Sequence, residues 1–365
     1  MPRRLPLAFT SLFFLISLGL LNLACTKTKE SVPVKALYGF NTSLPQFKGL
    51  RPDQVADKLA DWGVNAVFGG YEDSALVRAL HARGIKIYAE IGFFVGEQLW
   101  QKYPESRPIK ADGQPLEKIE WYAGVTPTIP AVQKDRLDAL RKLVDSTQVD
   151  GVWLDFIRWP AKWERPDPIL PRTSFDPVTL KQFQEKTGVA IPGNLKSVPE
   201  IADWIFENHQ EEWTRFRCQV IADVVARARA ICDEAKRPVT LGLFEVPWTA
   251  EDFDGALLKV VGQDPKLLAP YVDVFSPMVY HGLCGQPVEW VAQVTTWVHQ
   301  TSGKPVWPIV QSLDKPKPMS AEEFAKTLET AIKAPGSGGV IIFTLRETSP
   351  DKLDAMKRVF RSLDP

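Results

Sequence analysis

Asp150-Gly151-Val152-Trp153-Leu154-Asp155-Phe156-Ile157-Arg158-Trp159-Pro160 is an apolar run broken once by a carboxylate and closed by a cation, an indole and a proline. Strands buried on both faces of a parallel sheet read as near-continuous apolar runs, so this stretch predicts one of them. An ionised carboxylate inside such a strand costs several kcal/mol to desolvate when it has no partner. Asp155 therefore needs a partner, a raised pKa or a wet cleft. If the strand is one stave of a parallel barrel, its C-terminal end opens onto the face where such barrels carry their sites. That makes Asp155 the leading chemical candidate.

On either side of this stretch, short apolar strands alternate with amphipathic helices. Strands are expected at Ala36–Asn41, Asn65–Gly70, Ile85–Phe94, the opening stretch, Val239–Glu245, Val272–Tyr280, Val306–Gln311 and Gly339–Leu345. Helical spacing begins near Pro52, runs from Ser74 to Arg83, from Pro130 to Asp145 and from Glu211 to Ala235, with a short piece at Leu180–Thr187. Eight strands with eight connections predict an α/β fold of the (β/α)8 TIM-barrel type, a single domain over residues 35–362. A doubly wound dinucleotide fold would want a glycine-rich turn after its first strand. Gly39, Gly69-Gly70 and Gly338-Gly339 lack the G-x-G-x-x-G spacing. Two long excursions, Val95 to Thr128 and Pro160 to Pro199, follow strands three and four and so fall on one face.

Arg3 and Arg4 precede an apolar run from Leu5 to Leu23, then Ala24-Cys25 and a polar stretch, which is the layout of a secretory signal, with a transmembrane anchor as the alternative because the run approaches spanning length. A cysteine directly after a small residue at the end of such a run resembles the lipobox of bacterial lipoproteins. The resemblance implies a signal peptide over residues 1–24, lipidation at Cys25 and a tether over residues 25–34, holding the domain at the cell envelope. Thr26, rather than Asp, after the cysteine implies outer-membrane sorting in a Gram-negative host.

With 44 basic and 44 acidic residues, the chain has no electrostatic footprint for nucleic acid or polybasic membrane binding, and a monomer is expected. Cys218, Cys232 and Cys284 remain besides Cys25; the odd count, with the first two far apart along one expected helix, argues against a disulfide framework. His81, His209, His281 and His299 have no metal-ligand spacing, so neither a metal nor another cofactor is expected.

Asp150 and Asp273 fall at the starts of their strands and are assigned to the bottom of the barrel as caps or ion-pair partners. Asp155, Glu90 and Glu245 fall at or near strand ends and are the candidate catalytic set. Two convergent carboxylates are the minimum equipment for glycosidic cleavage, one protonating the leaving oxygen, the other attacking the anomeric carbon or activating water. A separation of about 5 Å would mark a retaining pair and about 6.5–9.5 Å an inverting one. Tyr38, Asn41, Trp159, Trp248, Tyr280, His281, Gln311 and Arg346 lie at or just past strand ends and, with Arg158, describe a polar, aromatic-lined cleft suited to a carbohydrate.

The Asp150 to Pro160 stretch resembles the strand-four signature of bacterial glycoside hydrolase-like (β/α)8 barrels, with Phe156 where several of those proteins carry a second acid. Glu212 to Arg217 (E-W-T-R-F-R) looks like their helix start before strand five, and Val272 to Tyr280 looks like their strand six. The resemblance implies a glycosidase acting on a poly- or oligosaccharide. In α-amylase-like barrels an Asp ending strand four is the nucleophile and a Glu ending strand five the acid/base, and Asp155 and Glu245 sit in similar places. The competing expectation is a non-catalytic carbohydrate-binding or envelope scaffold barrel. A non-glycosidic hydrolase or lyase is disfavoured, since no nucleophile stands in a G-x-S-x-G context.

Overall fold

The computed structural model describes Met1 and residues 32–363. The expected signal peptide, the lipidation site at Cys25 and most of the expected tether lie outside the described residues. Val34, expected to end the tether, already pairs with Gly339 in the sheet.

Eight parallel strands are present: β1 (Val34–Leu37), β2 (Ala66–Phe68), β3 (Lys86–Gly92), β4 (Gly151–Asp155), β5 (Thr240–Glu245), β6 (Val274–Pro277), β7 (Ile309–Gln311) and β8 (Gly339–Phe343). Their order is β6-β5-β4-β3-β2-β1-β8-β7. The remaining seam is closed by a parallel bridge from Phe275 to Val306, with the Trp307 N–H donating to the Phe275 carbonyl at 2.8 Å. The result is the (β/α)8 barrel that the alternation predicts.

The helices among the described residues are α1 (Pro52–Asp61), α2 (Ser74–Ala82), α3 (Glu97–Lys102), α4 (Pro130–Ser146), α5 (Pro177–Thr187), α6 (Val198–Asn208), α7 (Gln210–Asp233), α8 (Ala256–Lys259), α9 (Pro265–Leu268), α10 (Glu289–Ser302), α11 (Ala321–Lys333) and α12 (Pro350–Arg361). No helix among the described residues is long and apolar enough to cross a membrane. Helix α6 lies almost wholly between the second excursion, expected to end at Pro199, and the helix expected from Glu211, where the sequence reading places no element. Its Ser197 side chain accepts from Glu200 N while the Glu200 carboxylate accepts from Ser197 N, and Pro199 sits in the first turn, where the missing N–H costs nothing. Helix α5 starts in a related way, with the Asp176 side chain accepting from Thr179 N at 2.9 Å and Pro177 in the first turn. Prolines that read as breakers are here helix starters.

Period-two alternation divides the strand residues between two packed layers. Ala36, Phe68, Tyr88, Trp153, Phe244, Val274, Ile309 and Ile341 fill the barrel interior. Leu37, Val67, Ile87, Val152, Leu154, Leu241, Leu243, Val310 and Ile342 face the helices. The indole of Trp153 plugs the lumen, stacked on Trp307 at 5.2 Å and donating to Ser276 Oγ at 2.9 Å. Gly242 makes room for it, since a Cβ there would stand 2.0 Å from the indole. At the bottom of the barrel, Asp150 accepts from Lys86 Nζ at 2.8 Å and Ile87 N at 2.9 Å, and Asp273 pairs with Arg229 at 2.9 Å.

The excursions after β3 and β4 fasten to each other over the opposite end. Lys110 and Thr173 form an antiparallel bridge, Ala111 N donates to Arg172 O and Phe175 N to Ile109 O, both at 2.9 Å, and Thr126 Oγ1 reaches Ser174 Oγ at 3.0 Å. Within the second excursion, Lys162 and Ile169 pair as a small hairpin through N–H···O bonds of 3.0 and 2.9 Å.

Candidate active site

Asp155 ends β4, and the register pairs it with Gly92, two residues beyond Glu90 on β3. Both acids share the parity of Tyr88 and Trp153, so they stand over the plugged lumen at the C-terminal mouth. Tyr38, just past β1, donates its hydroxyl to Glu90 Oε2 in a short hydrogen bond. The carboxyls of Glu90 and Asp155 are hydrogen-bonded to each other. Asp155 Oδ1 also accepts from Phe156 N at 2.7 Å.

Burial dominates the electrostatics. It raises the Asp155 carboxyl well above its usual range, and the Glu90 charge raises it further, against the opposing pull of Phe156 N–H and of Arg158. Burial also raises Glu90, but hydrogen bonds from Tyr38 and Asp155 hold it back. Of the two, Asp155 is pushed further above its ordinary range. Burial pushes the Tyr38 hydroxyl up as well, followed by the charge of Glu90.

The walls are aromatic. Phe343 lies 5.1 Å from Tyr38 and stacks on Tyr280 at 4.9 Å, and Tyr280 stacks on Trp163 at 5.6 Å. Burial first, then Tyr38, Asp155, Glu164 and Glu90 raise the Tyr280 hydroxyl. Arg158 is buried. It gives Nη1–H to Ala161 O at 2.8 Å and to Tyr122 Oη at 3.3 Å, and it lies over the rings of Tyr122 and Phe156. It modulates Asp155 through space and shapes the wall.

Other residues expected in the cleft are placed elsewhere. Glu245 carries the parity of Leu241 and Leu243 and therefore faces the helix layer; it is fully buried, and neither carboxylate oxygen has a hydrogen-bond partner. Burial raises its pKa well above the ordinary range, and the Asp264 charge raises it further. Trp159 is fully buried, donates Nε1–H to Arg217 O at 3.1 Å and carries the Arg217 guanidinium 4.1 Å from its ring. Trp248 is buried against Phe253. His281 points to α11, with Nε2 3.0 Å from Glu323 Oε1. Gln311 is a strut, its Oε1 accepting from Leu283 N at 2.9 Å and its Nε2 donating to Lys315 O at 3.0 Å. Asn41 is exposed and caps Ser43 N at 2.7 Å, and Arg346 is exposed on the turn after β8.

The mouth also holds residues that strand-end reasoning passes over: Trp121 and Tyr122 from the first excursion, Lys162, Trp163 and Glu164 from the second, and Phe343 at the end of β8. The available signal is Lys162-Trp163-Glu164, two residues beyond the Arg158-Trp159-Pro160 ending. Among the described residues, no group of three or more His, Cys, Asp or Glu side chains is arranged to hold a metal ion.

Solved structures similar in fold include the β-galactosidase from the psychrophilic Marinomonas ef1, with TM-score 0.63 and 12% identity over 89% of this chain and 58% of that one. The PgaB (BpsB) glycoside hydrolase domain from Bordetella bronchiseptica gives TM-score 0.64 and 15% identity over 91% of this chain and 98% of that one. The α-L-fucosidase isoenzyme 2 from Paenibacillus thiaminolyticus gives 0.57 and 13% over 90% and 49%. At such identities the likeness is one of fold, and this chain spans only 58% of the length of the Marinomonas enzyme. No curated protein sequence matches the chain. A family model described as "Putative glycosyl hydrolase domain" matches residues 56–302, a span that contains β3, β4, Glu90 and Asp155, and the chain belongs to that family.

Proposed function

We propose that the protein hydrolyses glycosidic bonds of a poly- or oligosaccharide, with Asp155 as proton donor and Glu90 as its ionised partner. The observation that carries this reading is the meeting of a buried Asp155 and a half-buried Glu90, hydrogen-bonded, at the C-terminal mouth. Asp155 gives its proton to the glycosidic oxygen as the bond to the anomeric carbon breaks, and Glu90 supplies negative charge close to the cationic centre that develops. Water then adds to the anomeric carbon and its proton returns to the pair, which restores the starting state.

Such a pair titrates as a unit and should give a bell-shaped rate profile, active where one proton is present. The alkaline limb reports loss of the Asp155 proton and is expected above the ordinary carboxylate range. Glu90→Gln removes the like charge that holds Asp155 up, so the alkaline limb should move to lower pH as the rate falls. The test is hydrolysis across pH of a glycan panel that includes β-galactosides and α-L-fucosides, the sugars named for two of the structural neighbours. An unchanged rate and limb in Glu90→Gln on any cleaved substrate would refute the pair.

We also propose that the barrel is held at the bacterial cell envelope through a lipid on Cys25. The basic start, the apolar run and Ala24-Cys25 support this reading. Cys25→Ser is expected to be released or left unprocessed on cell fractionation; processed protein still in the envelope fraction would contradict it.

A further inference from the structure

We infer that Trp121, with Lys162 and Glu164 beside it, is a sugar-ring subsite that takes one uncharged pyranose of a glycan chain next to the Asp155–Glu90 pair, and this inference rests on the hydrolase reading of that pair. Trp121 is 54% exposed, whereas Trp153, Trp159, Trp163 and Trp213 are buried. It is nonetheless fixed in orientation. Tyr122 and Phe156 hold it edge-on at centroid distances of 5.8 and 6.0 Å, and the Lys162 ammonium stands 4.8 Å from its centroid.

The backbone on both sides of this contact is strained. Glu120, directly before Trp121, has φ 56°, and Phe156, whose ring holds the indole, has φ 50°; both are left-handed values at non-glycine residues. Such positions persist where the surrounding structure over-determines them, and they cluster at functional sites. Phe156 follows Asp155 and donates its N–H to that carboxyl, so the ring that orients Trp121 is one residue from the acid.

Polar groups border the indole, as a ring bearing hydroxyls on its edge requires. Lys162 Nζ lies 2.8 Å from Glu164 and 3.9 Å from Glu120. The Lys162 ammonium is thus already taken up by two carboxylates, a setting that disfavours uronate or sulfated sugars. With Lys162 over one face of the exposed indole, the other face suits the C–H face of an uncharged pyranose.

The test uses the full chain carrying Asp155→Asn, so that ligand survives, and measures binding of cellohexaose, xylohexaose, mannohexaose and chitohexaose by calorimetry, with a hexagalacturonate alongside. At least one neutral hexasaccharide should bind, adding Trp121→Ala should weaken it about tenfold or more, and Trp121→Phe should restore most of the affinity. The bound saccharide should also shield Trp121 from N-bromosuccinimide oxidation, read by mass mapping. Equal binding by the Trp121→Ala protein, unshielded Trp121 at saturating saccharide, tighter binding of the uronate, or no binding across the panel would each overturn the subsite. Hydrolysis separates the two claims. Trp121-dependent binding without turnover by the parent protein would keep the subsite and remove the hydrolase reading, and turnover with unchanged KM in Trp121→Ala would do the reverse.

Discussion

Asp155→Asn is expected to yield a folded protein that still binds saccharide and turns it over about 10²–10⁴-fold more slowly, the usual contribution of a positioned general acid. The amide matches the carboxyl in shape, and its oxygen can still accept from Phe156 N, which now bonds Oδ1 at 2.7 Å. What it cannot do is release a proton to the leaving oxygen. A purely structural Asp155 would behave differently. Removing one member of a fully buried ion pair costs roughly 3–5 kcal/mol, yet Arg158 sends its donors to Ala161 O and Tyr122 Oη rather than to Asp155. The melting temperature should therefore hold steady or rise, since the substitution relieves a crowded carboxyl pair. Melting, saccharide binding and hydrolysis measured together decide the matter. Parental rates in the variant on a cleaved substrate would remove Asp155 from the mechanism, and a large loss of melting temperature would make it a structural residue.

Glu245→Met is expected to stabilise the protein at neutral pH, in the range of about 1–3 kcal/mol that an unsatisfied buried polar group costs. Both carboxylate oxygens of Glu245 lack partners in a fully buried place, with Asp264 as the nearby charge. The sign follows from linkage. A carboxyl whose folded pKa is raised binds its proton more tightly in the native state, so its contribution is most favourable below the ordinary value of about 4.3 and is lost as pH rises through the folded value. Glu245→Met removes that loss. The gain in melting temperature over the parent should be small near pH 4 and grow towards neutrality. A gain that is flat with pH, or a destabilised variant at pH 7, would mean that Glu245 has a partner when folded.

Asp155 and Glu90 were legible because each is an acid lodged in an otherwise apolar strand, where desolvation demands an explanation. The barrel was legible for a related reason: strands buried on both faces leave few alternatives for Val152 to Ile157 or Val340 to Ile342. Glu245 went astray because a strand end does not fix a face. Counting by twos from Gly242, whose missing side chain admits the Trp153 indole, sends Leu243 and Glu245 outward. That packing partner lies on another strand and has no local signature. Helix α6 is hard to read because Pro199 looks like an interruption, although Ser197 and Glu200 three residues apart spell a helix start. Trp121, Lys162 and Glu164 lie in stretches without periodicity, and their meeting depends on contacts between excursions that no spacing encodes.

The bridge between those excursions, from Lys110 to Thr173 with Thr126 on Ser174, bears on how the binding surface can be rebuilt. Because each wall of the mouth is partly made from the other's backbone, neither loop can be exchanged alone without stripping hydrogen bonds from its neighbour. The stretches 93–129 and 156–176 are therefore expected to be exchangeable only together, along with the Arg217 and Val261 positions that hold Trp159 and Thr173. A chimera that carries both from a related barrel inherits a finished recognition surface, whereas a chimera that carries one inherits a torn one.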